Sequence, residues 1–342
     1  MNDFMAIQST ISLLLIWAAL SILGGWALLA RVPREPRLPV PWNVLDLLVV
    51  LGIFELLLGS FIFITQWGLG IPVSPRHASA TATSLAKPDG PATPPSLAPS
   101  GHPVSPSGHA GPVRLVEDPS AKEETAMNPL LVVLGKRHQP GTLLVCGFVA
   151  LVAAPVAEEF FFRLLLQGWL EAVEGRWRKR LRLLRRLPPA LLPVLLTSAL
   201  FAAGHFRQET LPGNVDALLA LFVLNGLAEV LTVAVAVVYL HFRAGATAAD
   251  LGLIPQKLPR DLALGLAMVV LCVPLLFSVQ LATERILQIL HKTVAADPVT
   301  LFVFAAVMGI IYFRTHRIAA SLVMHVAFNA INLAAAWYLL KP

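Results

Sequence analysis

The sequence predicts an all-α protein: a polytopic bundle of about eight transmembrane helices, with a long disordered linker after the second. Three observations carry this expectation. Of the 342 residues, 56% are hydrophobic and only 13% are charged, roughly half the charge of an ordinary soluble domain. The apolar residues gather into eight runs, most of them near the roughly 20 residues that cross a bilayer. One stretch, Gly68–Asn128, interrupts the pattern. It is rich in Pro, Ser, Ala, Gly and Thr, has no apolar periodicity, and cannot bury a core.

Taken in order, the first span runs over Ile7–Ala30 and is followed by Arg31, Arg34 and Arg37. The N-terminus lacks the basic start of a cleaved signal peptide, so this span is expected to be retained. The second, Val44–Trp67, contains Asp46 and Glu55. The third, Gly141–Ala172, would extend about 48 Å as a helix, longer than the ~30 Å hydrocarbon core, so it must tilt, kink or protrude. Arg176–Arg186 holds seven Lys/Arg and reads as an interfacial segment facing anionic lipid. The remaining spans are Pro189–Phe206, Ala217–Phe242, Asp261–Leu290 (interrupted by Pro274), Val299–Phe313 and Ile318–Leu340. These boundaries divide the chain into two N-terminal helices (1–67), the linker (68–128) and a six-helix unit (129–342).

The net charge of +6 follows the positive-inside pattern rather than a nucleic-acid footprint. The basic loops fall on one side of the alternating spans, which puts both termini and the linker outside the cytoplasm. Composition and linker point to a bacterial cytoplasmic membrane. Cys146 and Cys272 both lie within apolar runs and imply neither a disulfide framework nor a thiolate zinc site.

Within the third span stands Pro155-Val156-Ala157-Glu158-Glu159-Phe160-Phe161-Phe162-Arg163. Each charge at membrane depth costs a few kcal/mol, so three together need a reason. Glu159 and Arg163 are four apart and pair on one helix face. Glu158 points about 100° away and is less neutralised, which suits a general base. Pro155 cannot donate to the carbonyl of Leu151 and weakens the helix just before the acids. Two further polar positions lie inside spans. His205 follows Gly204, which permits close approach. His325 and Asn329 share a face of the last span. His241, His291 and His316 fall at loop edges and read as solvated. Two histidines, two carboxylates and an amide are the parts needed to activate a water, with or without a metal. A buried charge network for packing, in a catalytically silent membrane scaffold or immunity-type protein, and an ion-coupled transporter using Glu55, Glu158, Glu159 and Glu229 are the other readings these residues allow.

Glu158-Glu159-x-x-x-Arg163, Phe201-x-x-x-His205 and His325-x-x-x-Asn329 resemble the three signatures of the CPBP family, which comprises type II CAAX prenyl endopeptidases and bacteriocin-processing proteins. The flanks agree: Ala154-Pro155, the Phe160–Phe162 run, and Arg314-Thr315 ahead of the last motif. The similarity covers roughly Pro129–Leu340. It implies an intramembrane endopeptidase acting near the membrane surface on a peptide or membrane protein, of which a prenylated tail is the best-known kind. Carried over residue by residue, the resemblance gives Glu158 the hydrolytic water. Glu159 and Arg163 shape the site, His205 helps hold water or metal, and His325 and Asn329 stabilise the oxyanion. A zinc site formed by Glu158, His205 and His325 with an open fourth position and a metal-free Glu–His mechanism both remain open.

The chain departs from the family pattern in one respect. His205 and His325 are 120 residues apart, with two further spans, Ala217–Phe242 and Asp261–Leu290, between them beyond the one expected. The element Ala249–Pro255 followed by Asp261–Gly265 resembles one that usually precedes the double-Glu helix. Counted from the basic ends, Glu159 lies about 20 Å deep, His205 about 25 Å and His325 about 10 Å. Upright helices would not bring them together, so tilt or an unwound stretch lining the cavity is expected.

Overall fold

A computed structural model describes residues 2–35, 40–68, 129–205, 215–289 and 297–340. The expected linker lies almost wholly outside them, as does His291. Every regular element among the described residues is helical. These are α1 (Asn2–Arg31), α2 (Val44–Phe63, ending in a π turn, Ile64–Gly68), α3 (Pro129–Lys136), α4 (Pro140–Arg178) and α5 (Arg182–Arg186). After them come α6 (Leu191–Gly204), α7 (Val215–Ala244), α8 (Leu258–Ile289), α9 (Asp297–Thr315) and α10 (Ile318–Leu339). Six helices are long and apolar enough to cross a membrane, and two shorter apolar helices, Leu15–Arg31 and Leu191–Gly204, accompany them. The eight expected runs are therefore all helical, in a polytopic bundle. The eighth and the short seventh expected runs become α10 and a 19-residue α9.

Local chemistry sets the ends. Asn43 caps α2 by accepting from Leu45 N–H (2.8 Å), and Asp46 Oδ2 accepts from Asn43 N–H (2.8 Å), a capping box. Asp46 also accepts from Tyr239 Oη (2.9 Å), which ties α2 to α7. The buried Asp46 is therefore a cap and a clasp. Trp42 Nε1 donates to Leu165 O (3.1 Å), fixing the approach to α2 against α4. At the basic end, Glu174 accepts from Arg178 (2.7 Å) and from Ala190 N–H (2.9 Å), so the chain turns back directly into α6. Exposed Trp177 and Leu183 lie among the arginines there, as an interfacial segment requires.

The main core cluster packs α8, α9 and α10 around Met268, Phe304, Met308, Ile311 and Met324, with Phe201 of α6. Close backbone approach holds it. A Cβ on Gly265 of α8 would lie 2.6 Å from Ala320 O of α10, and one on Gly226 of α7 would lie 2.8 Å from Val149 Cγ2 of α4. Of the three helices between His205 and His325 in sequence, the two unexpected ones thus belong to the bundle, α7 against α2 and α4, and α8 against α1, α9 and α10.

Helix α4 is not a regular α-helix. It passes through two π-helical stretches, Val149–Ala153 and Glu159–Gln167. Such insertions widen the turn and re-aim side chains, and they recur at functional sites. The first directly precedes Pro155, which cannot donate. The second begins at Glu159 and contains Arg163.

Candidate active site

The site forms where α4, α6 and α10 meet. Glu158 lies between two imidazoles. Its Oε1 is 3.6 Å from His205 Nε2 and its Oε2 is 3.7 Å from His325 Nε2. Glu159 approaches the opposite edge of His325, with Oε1 3.3 Å from Nδ1. The two acids therefore bracket one ring. Arg163 Nε stands 3.6 Å from Glu159 Oε2, the pairing that the four-residue spacing predicts.

Burial divides the group. Glu159 and Arg163 are fully buried and His325 nearly so, while the Glu158 and His205 side chains are 21% and 35% exposed. The inner pair is structural ground and the outer pair is where another molecule can reach. Phe201 is the shared wall: its ring centroid lies 4.5 Å from that of His205 and 6.0 Å from that of His325, and the Arg163 guanidinium sits over it at 5.5 Å. Phe304 closes the other side of His325 edge to face, at 5.5 Å.

Hydrogen bonds fix how the histidines are presented. His205 Nδ1 lies 2.8 Å from Phe201 O, and a carbonyl only accepts, so Nδ1 carries the hydrogen. In the neutral ring Nε2 is then the lone-pair nitrogen facing Glu158. The same argument applied to the Glu159 carboxylate turns His325 Nε2 toward Glu158. A histidine braced at one nitrogen by a carboxylate or carbonyl is also prepared to ligate metal through the other, so the donor types suit zinc. As they stand, no three His, Cys, Asp or Glu side chains among the described residues are grouped to hold one ion.

Each expected site residue has a place. Glu158, Glu159, Arg163, His205 and His325 converge despite the 120 residues between the histidines. The depth mismatch is resolved by π-helical turns in α4 and by His205 lying just past the end of α6, with no unwound stretch in α4. Asn329 joins through the backbone, its Nδ2 donating to Ala150 O at 2.8 Å. A Cβ on Gly204 would meet nothing within 4 Å, so no helix among the described residues makes the close approach allowed there. Glu55 is exposed on α2, and Glu229 accepts from Asn225 at 2.6 Å. His316 departs from its reading as solvated. Its side chain is 15% exposed, 3.8 Å from Glu171, in a turn with φ +49°.

One polar residue escaped the sequence reading. Gln167, fully buried, continues the row Glu159–Arg163 one turn on. It donates to Glu171 Oε1 (2.9 Å) and to Gly309 O (2.8 Å), which locks α4 to α9. The four-residue step from Arg163 was the available signal.

A membrane-embedded helix bundle carrying a partly open acid–histidine cluster is equipped as an intramembrane hydrolase. Residues 140–331 match the model of the type II CAAX prenyl endopeptidase Rce1-like family, and the chain belongs to it, and with it to the membrane proteases. No curated protein and no solved structure matches the chain.

Proposed function

We propose that the protein cleaves a peptide bond with a water activated by Glu158. The observation that carries this is the carboxylate held between two imidazole Nε2 atoms at 3.6 and 3.7 Å, on the exposed side of an otherwise dry cluster. Glu158 takes a proton from water as its oxygen attacks the carbonyl carbon. His205 steadies the water. His325, its Nδ1–H held by Glu159, faces the oxyanion that forms as the carbonyl π bond opens and donates to it from Nε2 when the ring carries both hydrogens. Collapse breaks the C–N bond, and the proton on Glu158 passes to the leaving amine. Glu159 and Arg163 hold the ring and balance its charge.

The substrate is a peptide or membrane protein approaching through the bilayer, with a lipidated CAAX-type tail as the first candidate. The basic ends of α1, α4 and α7 face the cytoplasm and both termini lie outside, in a bacterial cytoplasmic membrane. If zinc is recruited, Glu158, His205 and His325 are its ligands, and it would supply Lewis-acid polarisation of the carbonyl. A chelator titration decides: loss of cleavage that Zn²⁺ restores makes this a metalloprotease, and unchanged cleavage makes it a Glu–His enzyme.

The test compares new peptide termini in membranes holding the wild type or Glu158→Gln at matched expression. Termini present only with the wild type identify both the activity and a substrate. Cleavage at the wild-type rate by the variant removes Glu158 from its role.

A further inference from the structure

The π turn before the acids contains a carbonyl that the sequence itself leaves without a backbone donor. In that turn the N–H of Ala154 bonds to Val149 O, a five-residue step. The next donor in this register, for Ala150 O, belongs to residue 155. Residue 155 is proline and has no N–H. The donor that an α register would supply, from Ala154, is already spent on Val149. An orphaned carbonyl inside a membrane bundle is costly. Asn329, 179 residues further along the chain, fills the gap with Nδ2–O at 2.8 Å.

We propose that Asn329 is a positioning residue whose amide replaces the hydrogen Pro155 lacks, clamping the backbone that carries Glu158 to the helix that carries His325. The arrangement is a closed circuit. On α4, Ala150, Pro155 and Glu158 lie within nine residues. On α10, His325 and Asn329 lie one turn apart on one face. One helix face therefore presents the imidazole to Glu158 and grips the chain eight residues before it. The 3.7 Å separation of Glu158 and His325 is set by this grip. The oxyanion role that the family resemblance suggests for Asn329 is then carried by His325. The inference rests on the reading of Glu158 and His325 as the working pair.

The pair Pro155 and Asn329 gives a suppressor test. Pro155→Ala restores an N–H at residue 155, and the helix can then satisfy Ala150 O from residue 154 or 155. Cleavage of a reporter peptide in proteoliposomes and the thermal unfolding midpoint are measured for Asn329→Leu, Pro155→Ala and the double variant. The expected result is a roughly 10- to 100-fold loss of kcat in Asn329→Leu, matching the loss of one buried hydrogen bond. KM changes little, and the double variant returns to within about fivefold of Pro155→Ala. Equal losses from Asn329→Leu in both backgrounds, with independent midpoints, would overturn the clamp and return the amide to the oxyanion. If Asn329→Leu does not accumulate alone, its recovery by Pro155→Ala is the same readout, and failure to recover counts against the proposal. Midpoints repeated in the Glu158→Gln background need no activity, so coupling of 155 with 329 stands or falls separately from the assignment of Glu158.

Discussion

Among the described residues, two of the charged clusters in this bundle are built on opposite rules. At the basic end, Arg317 is 3% exposed and makes two 2.6 Å bonds to the buried Asp261. It also pairs with Glu35, which Lys257 reaches at 2.5 Å. Geometry there is bidentate and short. In the cluster on α4 the separations are 3.3 to 3.7 Å. Glu158 Oε2, Glu159 Oε2 and all three Arg163 nitrogens have no hydrogen-bond partner among the described residues. A network that exists to hold helices together saturates its donors and acceptors. One that exists to meet a substrate leaves capacity over. The contrast holds even among the fully buried members, Arg317 with Asp261 on one side and Arg163 with Glu159 on the other.

The largest effect that would break this contrast is at Glu158. Glu158→Gln should lower cleavage roughly 10³-fold, within the range of a lost general base, while leaving the unfolding midpoint level or slightly raised. A matching fall in stability would make the cluster structural. Next comes Asp261→Ala, which takes the bidentate partner from a buried guanidinium and leaves it only Glu35, and should cost about 3 kcal/mol in a denaturation series. The double change Asp261→Leu with Arg317→Met should recover most of that, and kcat of the folded fraction should hold throughout. Gly265→Leu drives a side chain into the backbone of α10 and should cost about 1–3 kcal/mol, with the Glu158–His325 geometry disturbed as α10 shifts. Cleavage should fall with it, linking the two regions through one helix.

The smallest effect is on the acid side. Burial opposes ionisation of Glu35, but the hydrogen bonds from Lys257 and Arg317 outweigh it and hold the carboxyl below its ordinary 4.5. The unfolded chain therefore binds the proton more readily. The contribution is complete above about pH 4.5 and is lost as pH falls through the lower folded value. Stability measured from pH 6 down to pH 3 should fall on that limb, and Glu35→Gln should flatten it. An unchanged slope would show that Glu35 is idle in the network.

The parts of this molecule legible in the sequence are those that break a strong rule. Charges inside apolar runs are costly, so Glu158, Glu159 and Arg163 stood out. His205, His325 and Asn329 followed as polar groups inside other apolar runs, although their counted depths did not match. The eight runs were legible because a bilayer demands length. Arg317, Asp261 and Glu35 were not, because charges at helix ends look like topology markers and their partners lie 56 or more residues away. The π turns were hidden too, since the contacts made there, Gly226 close to Val149 and Asn329 on Ala150 O, come from helices 70 or more residues away. Pro155 announced a break in the helix without saying which residue would mend it.

Glu35 also bears on where this protein could be cut. It sits outside residues 140–331, the portion matching the family, yet it grips Arg317, which precedes the first turn of α10 and stands eight residues from His325. Trp42 likewise reaches across to Leu165. An excised piece spanning 129–342 would retain every member of the acid–histidine cluster. It would also strip Arg317 of one carboxylate, open the face of α8 that α1 covers, and free the α4 carbonyl that Trp42 binds. The two leading helices act as a brace for the catalytic half, and a minimal protease would have to carry that brace in some other form.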